Sequence, residues 1–266
     1  MIRRGVALVF VVGAVVLSLG LAALPAAADP APPPGTPTAT SFAGVPFVGA
    51  VFADGLSNPH SCSASVVHSP RHNLVLTAAH CISGTGRGLQ FAPGYDNGST
   101  PYGVWTVQKA WVAPAWIASQ DPHADYAFLQ VAPQRWERRR ANVEDLTGGS
   151  ILGMAPSPGT QITDIAYAYG LDDQPIRCTN TVTLTVGYPT FNCHGYPGGT
   201  SGSPFLVTRG DLPSIVVGVI GGLHQGGCYE WNSFSSPFGA ETYRTYLRAA
   251  LGLPGDTVPV AGSDGC

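Results

Sequence analysis

Charge is scarce in this sequence: Asp, Glu, Lys and Arg make up only 11% of 266 residues, less than half the usual share. Long charge-decorated helices are therefore not expected. The net charge of −3 offers no positive field to attract nucleic acid, which removes that class of partner. Metal-ligand spacings are missing too. There is no Cys-x-x-Cys and no His-Glu-x-x-His, and Pro70 between His68 and His72 breaks what would be a helical pair. No glycine-rich phosphate loop follows a strand pattern either. The expectation is a protein with no metal and no cofactor.

Glycine (34) and proline (24) are abundant, and 44% of residues are apolar, so the chain reads as short strands and turns around a packed core. Arg3 and Arg4 precede an almost unbroken apolar run over 6–24, and Ala26-Ala27-Ala28 follows just before Asp29. That pattern predicts a cleaved secretory signal over 1–28, with an uncleaved anchor as the alternative. Cleavage removes Arg3 and Arg4, takes the net charge from −3 to −5, and leaves no other run long enough to span a membrane. A secreted, extracellular protein meets oxidising conditions, so the six cysteines read as disulfides, with 15 possible pairings.

Residues 29–44 read as a Pro-rich linker or short pro-segment. A first β unit is expected over 45–137, with strands near 47–52, 63–67, 74–77, 103–112 and 126–131. Residues 138–149, with Arg138-Arg139-Arg140 and Gly148-Gly149, read as a solvated connection. A second β unit over 150–240 has candidate strands near 162–169, 181–186, 203–207 and 215–220. A helix is predicted over 241–252, where Tyr243, Tyr246, Leu247, Ala250 and Leu251 recur at spacings of three and four, and a tail follows over 253–266.

Three runs carry chemistry. Gly198-Gly199-Thr200-Ser201-Gly202-Ser203-Pro204 can expose a serine hydroxyl on a tight turn with free backbone amides, although such a composition also suits a surface loop. It is not the elbow of the α/β-hydrolases, which needs glycine two places after the serine, where Ser203 stands. Leu74-Val75-Leu76-Thr77-Ala78-Ala79-His80-Cys81 ends an apolar strand in a histidine. His123-Ala124-Asp125-Tyr126-Ala127-Phe128-Leu129 leads an aspartate into an apolar strand, where it needs a partner. His60, His68, His72, His123, His194 and His224 lack the Ala-Ala-His-Cys setting.

Together these runs resemble the chymotrypsin-type (trypsin-like) serine peptidases over residues 45–251, and most of all the secreted bacterial members of the glutamyl endopeptidase branch. The resemblance implies an all-β fold of two perpendicular six-stranded β-barrels with a C-terminal helix. It also implies an endopeptidase that acts on protein or peptide substrates, with His80, Asp125 and Ser201 as triad and the N–H groups of Gly199 and Ser201 as oxyanion hole. An inactive protease-fold binding or adhesion module is the alternative. Turnover is expected to fall on the acid side as His80 protonates. The protein reads as a monomer that makes no membrane contact once the signal is removed.

The resemblance places Gly195 at the base of the primary pocket, where trypsin-like members have Asp, so an Arg or Lys preference is not expected. Ile220, Gly221 and Gly222 stand where a Ser-Trp-Gly wall is usual, and Val219 replaces the histidine of glutamyl-specific relatives. It also implies a Cys62–Cys81 bridge. Cys178 and Cys193 flank an apolar run and are expected to pair, leaving Cys228 with Cys266, while Cys193–Cys228 remains the rival. Thr200 stands where animal zymogens carry a buried Asp that pairs with a new N-terminus. The oxyanion loop is therefore expected to order by itself, with trimming of residues 29–43 optional.

Overall fold

Six short strands, most of them rich in β-branched and aromatic residues, close on themselves in the first half of the chain. They run over Val48–Phe52, Cys62–Val67, Leu74–Thr77, Gln90–Pro93, Trp105–Val112 and Ala127–Val131. In the computed structural model, which describes residues 29–169 and 174–266, antiparallel pairing links the first strand through the second, third, sixth, fifth and fourth into a closed barrel. Closure leaves no unpaired edge, and the alternation of a pleated strand sends Phe52, Leu74, Leu76, Phe91, Trp105, Trp111 and Phe128 into one buried cluster. The five strands expected from the pattern all occur. Gln90–Pro93 lacked a pattern because it is short and bounded by glycine-rich turns.

The second half pairs differently. Gln161–Tyr167 lies between Pro175–Thr181 and Pro204–Arg209, which in turn pairs with Leu212–Val219. Thr40–Ser41 and Ile151–Leu152 form the edges of this six-stranded sheet. A separate three-stranded sheet joins Thr183–Thr185, Tyr188–Asn192 and Asn232–Phe234. Both sheets contribute to one core, where Phe191 meets Ile162, Phe205 and Val217. The fold is that of the chymotrypsin-like class, with the first barrel closed and the second unit built from these two sheets. The cysteines pair as Cys62–Cys81, Cys178–Cys193 and Cys228–Cys266, so the Cys193–Cys228 rival falls away.

Two segments read as connections are built into the fold. In the Pro-rich stretch, Ala39 N–H donates to His194 O (2.8 Å), His194 N–H donates to Pro37 O (2.8 Å), and Thr40–Ser41 pairs with Arg177 and Ile176. The basic connection contains a hairpin, Gln134–Trp136 with Arg139–Ala141, and a short helix, Val143–Thr147, started by an Asn142–Asp145 capping box. The C-terminal helix, Ala240–Leu251, ends at Gly252 as its sequence predicts. Of the periodic residues Tyr243, Tyr246 and Ala250 pack on the core. Thr242, Thr245, Ala249 and Ala250 are buried, whereas Leu247 and Leu251 face solvent. Small side chains let this helix lie close on the first barrel, and Tyr243 and Tyr246 reach across to donate to Leu152 O and His68 O, each at 2.8 Å. Among the described residues no helix is long and apolar enough to cross a membrane, and the expected signal segment lies outside them.

Candidate active site

The strand Leu74–Thr77 pairs with Ala127–Val131 so that Thr77 faces Ala127. This register brings the residues just after Thr77 and just before Ala127 to the same end of the barrel. His80 sits there in a single helical turn, Ala79–Cys81, anchored by the Cys62–Cys81 bridge. Asp125 follows the turn Pro122–Ala124 and is wholly buried.

A buried carboxylate must be matched by donors, and Asp125 has three. His80 N–H lies 2.9 Å from Oδ1, while His80 Nδ1 and Gly222 N–H each lie 2.8 Å from Oδ2. Asp125 N–H itself donates to Ser236 Oγ (3.0 Å), and that hydroxyl donates to Pro122 O (2.7 Å), which fixes the turn from behind. The His80 side chain is only 9% exposed. With Nδ1 facing Asp125, the proton-accepting nitrogen left on the ring is Nε2.

Ser201 comes from the other half. Ser63 N–H donates to Ser201 O (2.7 Å), and Gly202 N–H donates to Ile220 O (2.7 Å). Gly202 has φ +81°, and a Cβ there would overlap Thr77 Oγ1 and come within 2.9 Å of Ala78 N. The serine loop therefore lies directly against the residues that lead into His80, and only glycine permits the approach. Gly199 has φ +91°, and a Cβ on it would fall 2.7 Å from Tyr169 N. Its carbonyl is held inward by Ser63 Oγ (3.0 Å). Among the described residues the N–H groups of Gly199 and Ser201 have no acceptor, as an oxyanion hole requires. Thr200 Oγ1 donates to Pro197 O (2.8 Å), so the loop is closed by a neutral hydroxyl.

Residues that the sequence pattern did not single out complete the site. Asp164 is wholly buried and accepts from Ser203 Oγ at 2.8 and 3.0 Å, beneath the loop. Burial without a cation pushes its carboxyl well above the ordinary value, against the lowering effect of Ser203 and Tyr196. A cavity of about 280 Å³ opens beside Ser201, lined among others by Tyr196, Ile220, Tyr229, Glu230 and Ser233. Among the described residues Glu230 is the one charged residue on its lining. Desolvation acts to raise the Glu230 carboxyl, but the bonds from Gly195 N–H and His194 outweigh it and hold the group below its usual value. Of the pocket residues expected, Ile220 lines this cavity, whereas Gly195 stands behind Glu230 and Gly221 packs on Asp125 O at 2.8 Å from a notional Cβ. Gly222 instead borders a second cavity of about 410 Å³ with His224, whose Nδ1 lies 3.0 Å from Asp264 O. No short-range pattern marks Glu230 or Ser236, because pairing of distant strands brings them in.

The chain is 24% identical over 172 residues to a Bacillus subtilis (strain 168) protein named extracellular metalloprotease. The match takes in 61% of this chain and 51% of that protein, so the chain spans about half the length of this curated relative. Its fold is similar to that of the protease Anisep from Arthrobacter nicotinovorans, with TM-score 0.66, 23% identity, and coverage of 80% of this chain and all of that one. It is also similar to the thermostable serine protease AL20 of an extremophilic microorganism (TM-score 0.64, 24% identity, 77% and 97% covered) and to a Glu endopeptidase (TM-score 0.62, 18% identity, 82% and 98% covered). The description "Trypsin-like peptidase domain" matches residues 62–219, more than half of the sequence, and the chain belongs to that family.

Proposed function

We propose that the protein is a secreted serine endopeptidase that cuts peptide bonds through an acyl-enzyme formed on Ser201. The observation that carries this reading is the buried Asp125, bonded to both the ring and the main-chain N–H of His80, with the Ser201 loop packed against the approach to that histidine. Ser201 Oγ attacks the scissile carbonyl carbon while His80 Nε2 takes its proton. The carbonyl oxygen becomes an oxyanion and is met by the N–H groups of Gly199 and Ser201, each such donor contributing about 3 kcal/mol. The C–N bond then breaks as His80 returns the proton to the leaving amine. Water then attacks the acyl carbon, giving a proton to His80, and the Ser201 Oγ–C bond breaks as His80 returns that proton to Oγ and the acid is released. Asp125 holds the ring in one tautomer and stabilises the imidazolium formed in each half.

The name of the Bacillus relative raises a metal-dependent alternative. The donors around His80 favour the serine route, since its near neighbours Cys62 and Cys81 are spent in a disulfide and offer no thiolate. In the pocket, an ionised Glu230 favours a positively charged side chain at the bond cut, which reverses the expectation drawn from Gly195. Three disulfides support an extracellular setting.

A fluorophosphonate probe tests the reading, because it modifies only an activated serine. The folded protein at neutral pH is expected to gain one adduct, located on Ser201 by peptide mass spectrometry, and Ser201→Ala to gain none. An unlabelled folded protein overturns the proposal in favour of a binding module.

A further inference from the structure

A second cluster of reactive side chains lies at the far end of the strand Leu74–Thr77 from His80. The loop before that strand carries His68 and His72, and the short helix Val143–Thr147 carries Glu144 and Asp145. Pro70 does prevent a helix between the histidines, but a turn takes its place. His72 N–H donates to Ser69 O (3.0 Å), His72 takes φ +54°, and the two imidazole rings come to lie 6.0 Å apart, centroid to centroid.

Each ring meets a carboxylate from the helix. His68 Nδ1 is 2.5 Å from Glu144 Oε1, and His72 Nδ1 is 2.6 Å from Asp145 Oδ1. Both carboxylates are oriented by the main chain through their second oxygen, Glu144 by Ser69 N–H (3.1 Å) and Asp145 by Asn142 N–H (2.8 Å). The Glu144 side chain is only 9% exposed, and beside it the wholly buried Ser69 Oγ has no partner among the described residues. One ligating atom from each of His68, His72 and Glu144 falls within 4.8 Å of the other two.

We propose that His68, His72 and Glu144 bind a divalent transition-metal ion of the zinc class, with Asp145 fixing the His72 ring from behind. Two imidazoles and one carboxylate suit zinc, which takes such ligands at about 2.0–2.2 Å and tolerates a fourth position filled by water. Calcium and magnesium demand oxygen ligands and are disfavoured by the two nitrogens. Asp145 on Nδ1 of His72 leaves Nε2 for the ion, the carboxylate–histidine–metal arrangement that sets ring orientation and basicity. The ion displaces the direct His68–Glu144 contact and bridges the two residues in its place.

The position gives the site its role. Glu144 N–H already donates to His72 O (3.1 Å), Tyr246 OH on the C-terminal helix donates to His68 O (2.8 Å), and Arg71 Nη2 donates to Leu251 O (3.0 Å). A metal there ties a first-barrel loop to the connection between the halves, next to the C-terminal helix. It acts on stability and not on the peptide-bond chemistry, so it is independent of the proposed proteolysis.

The test uses the full chain with Ser201→Ala to prevent self-digestion, stripped with chelator and titrated with zinc chloride by calorimetry. One zinc per chain is expected, with Tm rising on addition, and with no rise from calcium or magnesium. Affinity is expected to fall about 10- to 100-fold in Asp145→Asn, and further in His72→Ala and in Glu144→Gln, which lose a direct ligand. Cobalt(II) in place of zinc is expected to give the visible absorption of a four-coordinate site, which reads the intact protein if a variant fails to fold. Binding weaker than about 100 µM, or equal binding by the wild type and both variants, overturns the proposal, since exposed histidines elsewhere then account for the metal.

Discussion

The aspartate–histidine half of the candidate site and the serine half are held in place by opposite means. Asp125 and His80 stand at the rim of a closed barrel, where side-chain and main-chain donors converge on one buried carboxylate. Ser201 stands on a loop whose shape depends on what is absent: Cβ atoms at Gly199 and Gly202, and charge at Thr200. The first arrangement is an electrostatic one that polar substitution should undo without unfolding the barrel. The second is steric, and tolerates little change in bulk. A site assembled across two units thus combines a fixed base with a serine positioned by close backbone approach.

The largest effect should come from Asp125→Asn. An amide keeps the volume but offers a donor where His80 Nδ1–H needs an acceptor, which favours the wrong tautomer. A fall in kcat on the order of 10⁴-fold is expected, with little change in KM. Steady-state hydrolysis of a peptide substrate measures it, and circular dichroism checks that the barrel is retained. A loss below tenfold would mean that the serine loop acts without an oriented base, and the contrast between the halves would collapse.

Glu230→Gln probes the serine side. Removing the Glu230 charge from the pocket lining should lower kcat/KM for substrates with Arg or Lys at the cut bond by about 10- to 100-fold relative to neutral ones. Cleavage profiling of a mixed peptide library by both forms reads the ratio directly. An unchanged profile would show that the bonds from Gly195 and His194 use up the Glu230 carboxylate.

Asp164→Asn tests the support under the loop through pH. Burial raises the Asp164 carboxyl, so the folded chain keeps a proton that the unfolded chain releases near the ordinary value of 3.8. The stabilisation is complete below that value and is lost as pH rises toward the folded-state value, at up to about 1.4 kcal/mol per pH unit. An amide does not titrate. Urea unfolding of the Ser201→Ala form at several pH values is therefore expected to show the wild-type chain losing stability with rising pH more steeply than the variant. Parallel profiles would show that Asp164 ionises normally in place.

Most of the candidate site could be read from the sequence because its three runs are local: a strand end, a turn before a strand and a glycine loop. Five of the six first-barrel strands showed as apolar runs, and the terminal helix showed as a period. What could not be read depends on register. Gly222 reaches Asp125, Ser236 backs the Asp125 turn and Glu230 enters the pocket only through pairing between residues far apart in the chain. The buried Thr242, Thr245 and Ala249 of the helix left no trace for a related reason: close approach selects Thr and Ala, which carry little hydrophobic signal. His68 and His72 were set aside as a helical pair, yet a turn brings the rings together just as well.

The smallest effects are expected upstream of the first barrel. A zymogen switch of the animal kind needs a buried carboxylate beside the nucleophile to receive a new ammonium, and Thr200 instead donates to Pro197 O (2.8 Å), closing the loop without charge. An inert extension or acetyl group on a chain starting at Asp29 should therefore leave kcat/KM within about twofold, since no ammonium has to be buried without a partner. Trimming is a different matter. Residues 37–42 exchange main-chain hydrogen bonds with His194 and Pro175, and His194 meets Glu230 behind the pocket. Removing everything before Val45 takes away these three bonds and the pairing of Thr40–Ser41 with Arg177 and Ile176, each bond contributing about 1 kcal/mol. The trimmed form is expected to melt lower and to show a KM raised a few-fold with kcat nearly unchanged. If the extended form is inactive and trimming restores it by orders of magnitude, the neutral loop is not self-sufficient, and the serine half depends on an N-terminus after all.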